Sequence, residues 1–158
     1  MKGLWLTAAL VLAADQLTKS FVIGHLGPDE SRVAIPHVLW WTFVENTHGA
    51  FGLFGNSAGL LIGMAVVVLG VFWFAFREAA RESLLVRVAF GAIVGGAVGN
   101  IIDRLHYHYV VDFVDLRWWP VFNIADSCIT IGVAVLVVAS LRRDMRSRAR
   151  TTSPPQAP

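Results

Sequence analysis

The sequence predicts an all-α polytopic membrane protein: four transmembrane helices, a small β-containing extracytoplasmic element and a short amphipathic loop. Three observations carry that expectation. Of the 158 residues, 56% are hydrophobic and 15% charged, with a mean hydropathy of +0.61, outside the range of an ordinary soluble domain. Four apolar runs, near 4–23, 58–76, 84–102 and 123–141, each match the roughly 20 residues that cross a bilayer as helix. The cations are also one-sided: Lys2, then Arg77, Arg81 and Arg87, then Arg142, Arg143, Arg146, Arg148 and Arg150 flank the same side of the spans. The other side has only Lys19, Arg32, Arg104 and Arg117. Basic segments stay in the cytoplasm, so both termini are expected there and the two larger loops, about 24–57 and 103–122, outside. Residues 1–141 then form one four-helix domain, and 142–158 a basic, disordered tail held at most by anionic lipid. A positive balance distributed this way follows a membrane, not a nucleic acid.

Span 1 opens with Met1-Lys2 and runs through Leu12-Ala13-Ala14, the outline of a cleaved signal peptide. Cleavage would leave Asp15 and Lys19 unexplained in the continuation of the run, so it is read as a span. At ~1.5 Å per residue, Asp15 lies about 16 Å in, past the bilayer midplane on the outer side. Asp15 and Lys19 are four apart, on one helix face and able to pair. They are either a structural intramembrane ion pair or a brace beneath an active site, and the two are compatible.

The first outer loop begins with the breaker Gly27-Pro28-Asp29-Glu30. Val38-Leu-Trp-Trp-Thr-Phe-Val44 alternates as a strand, and Glu45 to Gly52 reads as a glycine-bearing turn. Its tryptophans suit a small sheet resting at headgroup level. A lone loop histidine such as His48 is more often neither ligand nor base.

Span 2 is featureless apart from aromatic residues near its end. Span 3 carries Gly91, Gly95 and Gly99, a small-xxx-small stripe that admits a close neighbouring helix. Asn100 and Arg104 share a face at its outer end. Arg104 either meets a carboxylate or lipid phosphate, and Asp103 caps or pairs locally. His106 and His108 near Asp103 and Asp112 raise a metal site, but His-x-His without a fixed third ligand is weak; no metal and no cofactor is expected. Trp118-Trp119-Pro120 reads as membrane re-entry. Span 4 then presents Asn123 and Asp126 on one face, with Thr130 a turn below. Cys128, the single cysteine, has no cationic neighbour in sequence to activate it and is read as a small buried hydrophobe.

In this topology Asp15, Asn100, Arg104, Asp112, Asn123 and Asp126 all fall near the outer boundary of the bilayer. Ionisable groups at that depth are a functional-site hypothesis by default. Asp112 and Asp126 lie at the two ends of the second loop, and a helix–loop–helix return would join them. Two close carboxylates do not easily both ionise, so one keeps a proton. The ionised partner can activate water while the protonated one polarises a carbonyl, which is amide hydrolysis without metal or covalent nucleophile. The alternative is a small four-span transporter or proton-linked channel, although the charges cluster at one depth and do not line a path. A non-catalytic scaffold explains the glycine stripe but neither aspartate.

Five motifs in order, Asp15-Gln-Leu-Thr-Lys19, Asn46-Thr-His-Gly-Ala-Phe51, Gly95-Gly-Ala-Val-Gly-Asn-Ile-Ile-Asp-Arg104, Val110-Val-Asp-Phe113 and Phe122-Asn-Ile-Ala-Asp-Ser127, resemble those of bacterial lipoprotein signal peptidase (signal peptidase II) over about residues 10–140. The resemblance implies an aspartic membrane protease of the bacterial inner membrane. It would cut diacylglyceryl-modified prolipoproteins just before the lipidated lipobox cysteine and be sensitive to globomycin. Asp112 and Asp126 would be catalytic, while Asp15, Lys19, Asn46, Asn100, Arg104 and Asn123 would support the pair or contact substrate. Asp115 matches a common acidic position and is not taken as catalytic. The partners expected are lipid-modified substrates and membrane lipid, for a monomer. One departure is visible: His48 and Gly49 stand where the family pattern has Gly and Ala, so His48 faces the headgroups or the substrate.

Overall fold

A computed structural model describes residues 1–48 and 58–151. Its helices are α1 (Lys2–His25), α2 (Ala58–Glu82), α3 (Leu84–His106) and α4 (Ile124–Thr151). All four are long and apolar enough to cross a membrane, α4 through its Ile124–Arg143 part. The strands are β1 (Ser31–Ile35), β2 (Leu39–Asn46) and β3 (Val110–Asp115). The fold is four membrane-length helices with one small three-stranded sheet.

α3 is the centre of the bundle. Of its span 56% is buried, against 22% for α1, 17% for α4 and 6% for α2, so α2 is the outermost helix. α1, α2 and α4 each lie against α3, while the backbones of α2 and α4 stay apart. The glycine stripe of α3 faces α1. A Cβ on Gly99 would sit 2.5 Å from Asp15 Oδ2, and one on Gly96, on the neighbouring face, 2.6 Å from the Ala125 carbonyl of α4. Only hydrogen side chains at these two positions let both neighbours come this close.

The helix ends follow local chemistry. Ser83 separates α2 from α3 in an extended conformation, and its Oγ accepts the Val86 N–H at 3.4 Å, an N-cap. α1 stops at Leu26, ahead of Gly27-Pro28. α4 was expected to give way to a disordered tail at Arg142, but it stays helical to Thr151. That is a correction for 142–151, whose Arg, Ala and Met are good helix formers; 152–158 lie outside the described residues.

The sheet has the order β1-β2-β3, antiparallel throughout. Val44 pairs with Asp112 and Asn46 with Val110, with an irregularity between Trp41 and Val44. β2 continues through Glu45 and Asn46, where a turn was expected, because β3 offers partners to both. β3 itself was expected as loop. Its Val110-Val-Asp-Phe-Val-Asp run is β-branched and aromatic, and five of its six residues are buried. Phe43, Val111 and Phe113 pack with Val22 of α1 and with Leu26 just after it, which fixes the sheet to the end of the bundle where α1 and α3 finish and α4 begins.

Candidate active site

Asp112 enters from β3. Its Oδ2 accepts from Asn46 Nδ2 at 2.8 Å and its Oδ1 from Asn123 Nδ2 at 2.7 Å. Asn46 can reach it because β2 and β3 are in register at this point. The carboxyl is 1% exposed.

Asp126 enters from the first turn of α4. Asn123 is the cap of that helix: its Oδ1 accepts the Asp126 N–H at 2.8 Å, and its carbonyl accepts the Ser127 N–H and Oγ–H. The Asp126 Oδ1 accepts from Asn100 Nδ2 of α3 at 2.8 Å. One asparagine therefore grips the side chain of Asp112 and the backbone of Asp126, while a second grips the side chain of Asp126. The return that joins the two aspartates is strand-to-helix, with Asp112 inside a strand.

Beneath them sits Lys19, 2% exposed. Its ammonium donates to Asp15 Oδ2 at 2.8 Å, Asp103 Oδ2 at 2.7 Å and Asn100 Oδ1 at 2.9 Å, which uses all three of its protons. Each partner carries the hold onward. Asp15 Oδ1 accepts the Ala125 N–H of α4 at 2.9 Å, and Asp103 Oδ2 accepts the Val111 N–H of β3 at 3.2 Å. The backbone next to each of Asp112 and Asp126 is thus pinned by a carboxylate that Lys19 neutralises. Among the described residues every buried side-chain nitrogen and oxygen has a partner, as a buried polar network requires.

Residues 7–142 match the sequence model described as signal peptidase (SPase) II. The chain belongs to the signal peptidase II family. It is 44% identical over 131 residues to the lipoprotein signal peptidase of Moorella thermoacetica, covering 83% of this chain and 87% of that one. To the lipoprotein signal peptidase of Syntrophotalea carbinolica it is 38% identical over 154 residues, 92% of this chain and 95% of that one. Among solved structures, a bacterial membrane enzyme determined in meso at 2.3 Å resolution superposes with a TM-score of 0.85 at 29% identity. That likeness covers 100% of this chain and 96% of the other. As a member of the signal peptidase II family the chain is a peptidase, hence a hydrolase, and a multi-pass membrane protein.

On this signal peptidase II fold the residues singled out from the sequence gather at one end of the bundle. Asp15, Lys19, Asn46, Asn100, Asp112, Asn123 and Asp126 form a continuous hydrogen-bonded set. Arg104 is half-buried beside them, its Nη1 donating to the Asn100 carbonyl at 3.2 Å. It makes no carboxylate ion pair among the described residues, although Asp126 and Asp112 lie within its electrostatic reach. Asp103 was expected to cap or pair locally. Instead it bridges α3 to α1 and β3, taking Gln16 Nε2 at 2.9 Å as well as Lys19. Gln16 and Asp103 are the residues missed. The available signal was an acid three residues after Asn100, on the same face of an apolar helix.

Asp115 is a clasp for the sheet: Thr42 Oγ1 donates to it at 2.8 Å and the Arg117 N–H at 2.7 Å, with the Arg117 guanidinium over Trp40. His48 is exposed, its N–H on Asn46 Oδ1 at 3.2 Å; the rest of that turn, 49–57, lies outside the described residues. His106 and His108 are exposed, and Cys128 is half-buried on α4. No three His, Cys, Asp or Glu side chains among the described residues converge to hold a metal.

Burial, and then the nearby Asp126 carboxyl, push the Asp112 carboxyl up to about 8, against the opposing pull of Asn46, Lys19 and Asn123. A shift of this size favours one proton held on the pair at neutral pH. This is the electrostatics of two carboxyls sharing one dry site.

Proposed function

We propose that this chain is an intramembrane aspartic endopeptidase. It removes the signal peptide from diacylglyceryl-modified prolipoproteins by cutting just before the lipidated cysteine, with Asp112 and Asp126 as its catalytic pair. The observation that carries the reading is the buried Asp112 close to Asp126, each held by its own asparagine. Asp112 donates its proton as a hydrogen bond to the scissile carbonyl, while Asp126, the carboxylate of the pair, takes a proton from a water molecule. The resulting hydroxide adds to the carbonyl carbon. Collapse of the tetrahedral diol breaks the C–N bond as the proton held by Asp126 passes to the departing amine, and Asp112 regains its proton. Asp15, Lys19, Asn100 and Asn123 position the pair, Asn46 orients Asp112, and Arg104 contributes positive charge at the mouth.

A diacylglyceryl peptide must keep its chains in hydrocarbon while its scissile bond reaches an acid pair at the membrane surface. The end of the bundle beneath the sheet suits both needs. Exposed Trp41, Trp118 and Trp119 are rings of the kind that sit at headgroup level, and the outer loop that carries the β1–β2 hairpin closes over the peptide as a lid once it binds. The cation distribution supports both termini in the cytoplasm and the site at the outer leaflet of the inner membrane. The enzyme works as a monomer and is inhibited by globomycin.

The deciding experiment follows cleavage of a diacylglyceryl-modified lipobox peptide by wild type, Asp112→Asn and Asp126→Asn, with thermal melts as the folding check. Loss of cleavage in both folded variants supports the pair. Near-normal cleavage by either overturns it and moves attention to Asp103 and Asp115.

A further inference from the structure

One large cavity in the described structure lies away from the aspartates. It is a lateral groove of about 1020 Å³ at the opposite end of the bundle, lined by Phe76 of α2, Val86 of α3 and Ile131 and Val135 of α4, among other apolar side chains. It exists because α2 and α4 both pack on α3 without meeting, so the surface of α3 floors a trough between them.

The rim of the groove is charged and polar. Arg142 and Arg143 line it from α4, Glu82 from the end of α2, and Ser83 with Leu85 from the first turn of α3. Arg142 and Arg143 are exposed and close the membrane-length part of α4, which ends at Arg143. They therefore sit at headgroup depth. The α3 N-terminus opens into the same rim with its partial positive charge. Against two guanidinium groups and a helix N-terminus stands one carboxylate. Arg87 is engaged elsewhere, on the Ala80 and Arg81 carbonyls at 2.9 Å.

We propose that this groove is a binding site for an anionic phospholipid of the leaflet opposite the aspartates. One acyl chain lies in the trough over α3, and the phosphate sits between Arg142, Arg143 and the first turn of α3. Charge decides the occupant. A zwitterionic lipid brings a cation to a rim that already carries two. The basic leading segment of a signal peptide is repelled in the same way. An anionic headgroup is attracted by each arginine. The proposal stands independently of which peptide bond the enzyme cuts.

The test is native mass spectrometry of the detergent-solubilised full chain with equimolar dioleoylphosphatidylglycerol and dioleoylphosphatidylcholine. Wild type is compared with Arg142→Gln/Arg143→Gln and with Ala134→Trp, whose indole would occupy the groove. Wild type is expected to retain phosphatidylglycerol preferentially, by roughly fivefold for each contributing arginine. The double charge variant should lose that preference while still retaining both lipids. Ala134→Trp should retain less of either. Equal retention of both lipids by wild type overturns the proposal, and so does a preference that survives the loss of both arginines. Should the double charge variant melt early, Ala134→Trp decides alone: undiminished phosphatidylglycerol on it places the lipid elsewhere.

Discussion

Asn123 Nδ2 donates to Asp112 Oδ1 at 2.7 Å while the Oδ1 of the same amide caps α4 at Asp126. One side chain thus sets the strand aspartate and the helix aspartate relative to each other. Asn123→Ala should cost about 1 kcal/mol of stability as a lost cap. It should also lower kcat roughly 10²-fold through misplacement, with KM much less affected. A thermal melt with steady-state cleavage of the lipobox peptide measures both. Unchanged kcat would remove Asn123 from the positioning role.

The Asp112 carboxyl, raised from its ordinary 3.8 to about 8 by burial and then by Asp126, makes stability depend on pH in a definite direction. Below pH 3.8 both folded and unfolded chains hold the proton and the contribution is fully present. Between 3.8 and 8 the unfolded carboxyl is ionised and the folded one is not, so stability falls as pH rises, levelling off above about 8. Melting temperatures from pH 5 to 9 should therefore decline more steeply for wild type than for Asp112→Asn. Cleavage should likewise fall on the alkaline side as Asp112 loses its proton. Parallel melting profiles for the two proteins would contradict a raised Asp112.

Lys19 neutralises Asp15 and Asp103 at 2.8 and 2.7 Å with almost no solvent contact. Lys19→Met strands two buried carboxylates, at a cost of about 3–5 kcal/mol. Asp103→Asn alone should be milder, because Lys19 keeps Asp15 and Asn100. Combining the two should cost less than the sum, since the asparagine removes one of the stranded charges. A double-mutant cycle on thermal or denaturant melts reads this, and strict additivity would deny the direct pairing.

Gly99→Ala places a Cβ 2.5 Å from Asp15 Oδ2. Overpacking of this kind costs about 1–3 kcal/mol, and displacing Asp15 releases the Ala125 N–H it holds. Cleavage should fall with stability. Gly24→Ala, which meets nothing within 4 Å, serves as the control on the exposed surface of α1. Equal behaviour of the two variants would show that the α1–α3 approach tolerates a methyl group.

The four spans and the ionisable residues set into them were legible in the sequence because each rests on local or one-dimensional information. Hydropathy over a bilayer's length and the placement of arginines require no tertiary contact to read. Nor do ionisable residues such as Asp15 and Asp126 inside apolar runs, which are too costly to occur without a role. What only the tertiary structure decided is which groups face which. β3 reads as loop until β2 and α1 supply its partners, since a strand gains its hydrogen bonds from residues distant in sequence. Asp103 of α3 meets Lys19 and Gln16 of α1, residues 84 and 87 positions away in sequence, and no local pattern encodes that meeting. The raised Asp112 belongs to the same class: burial and a neighbouring carboxyl set it, and both exist only once β3 and α4 have been brought together.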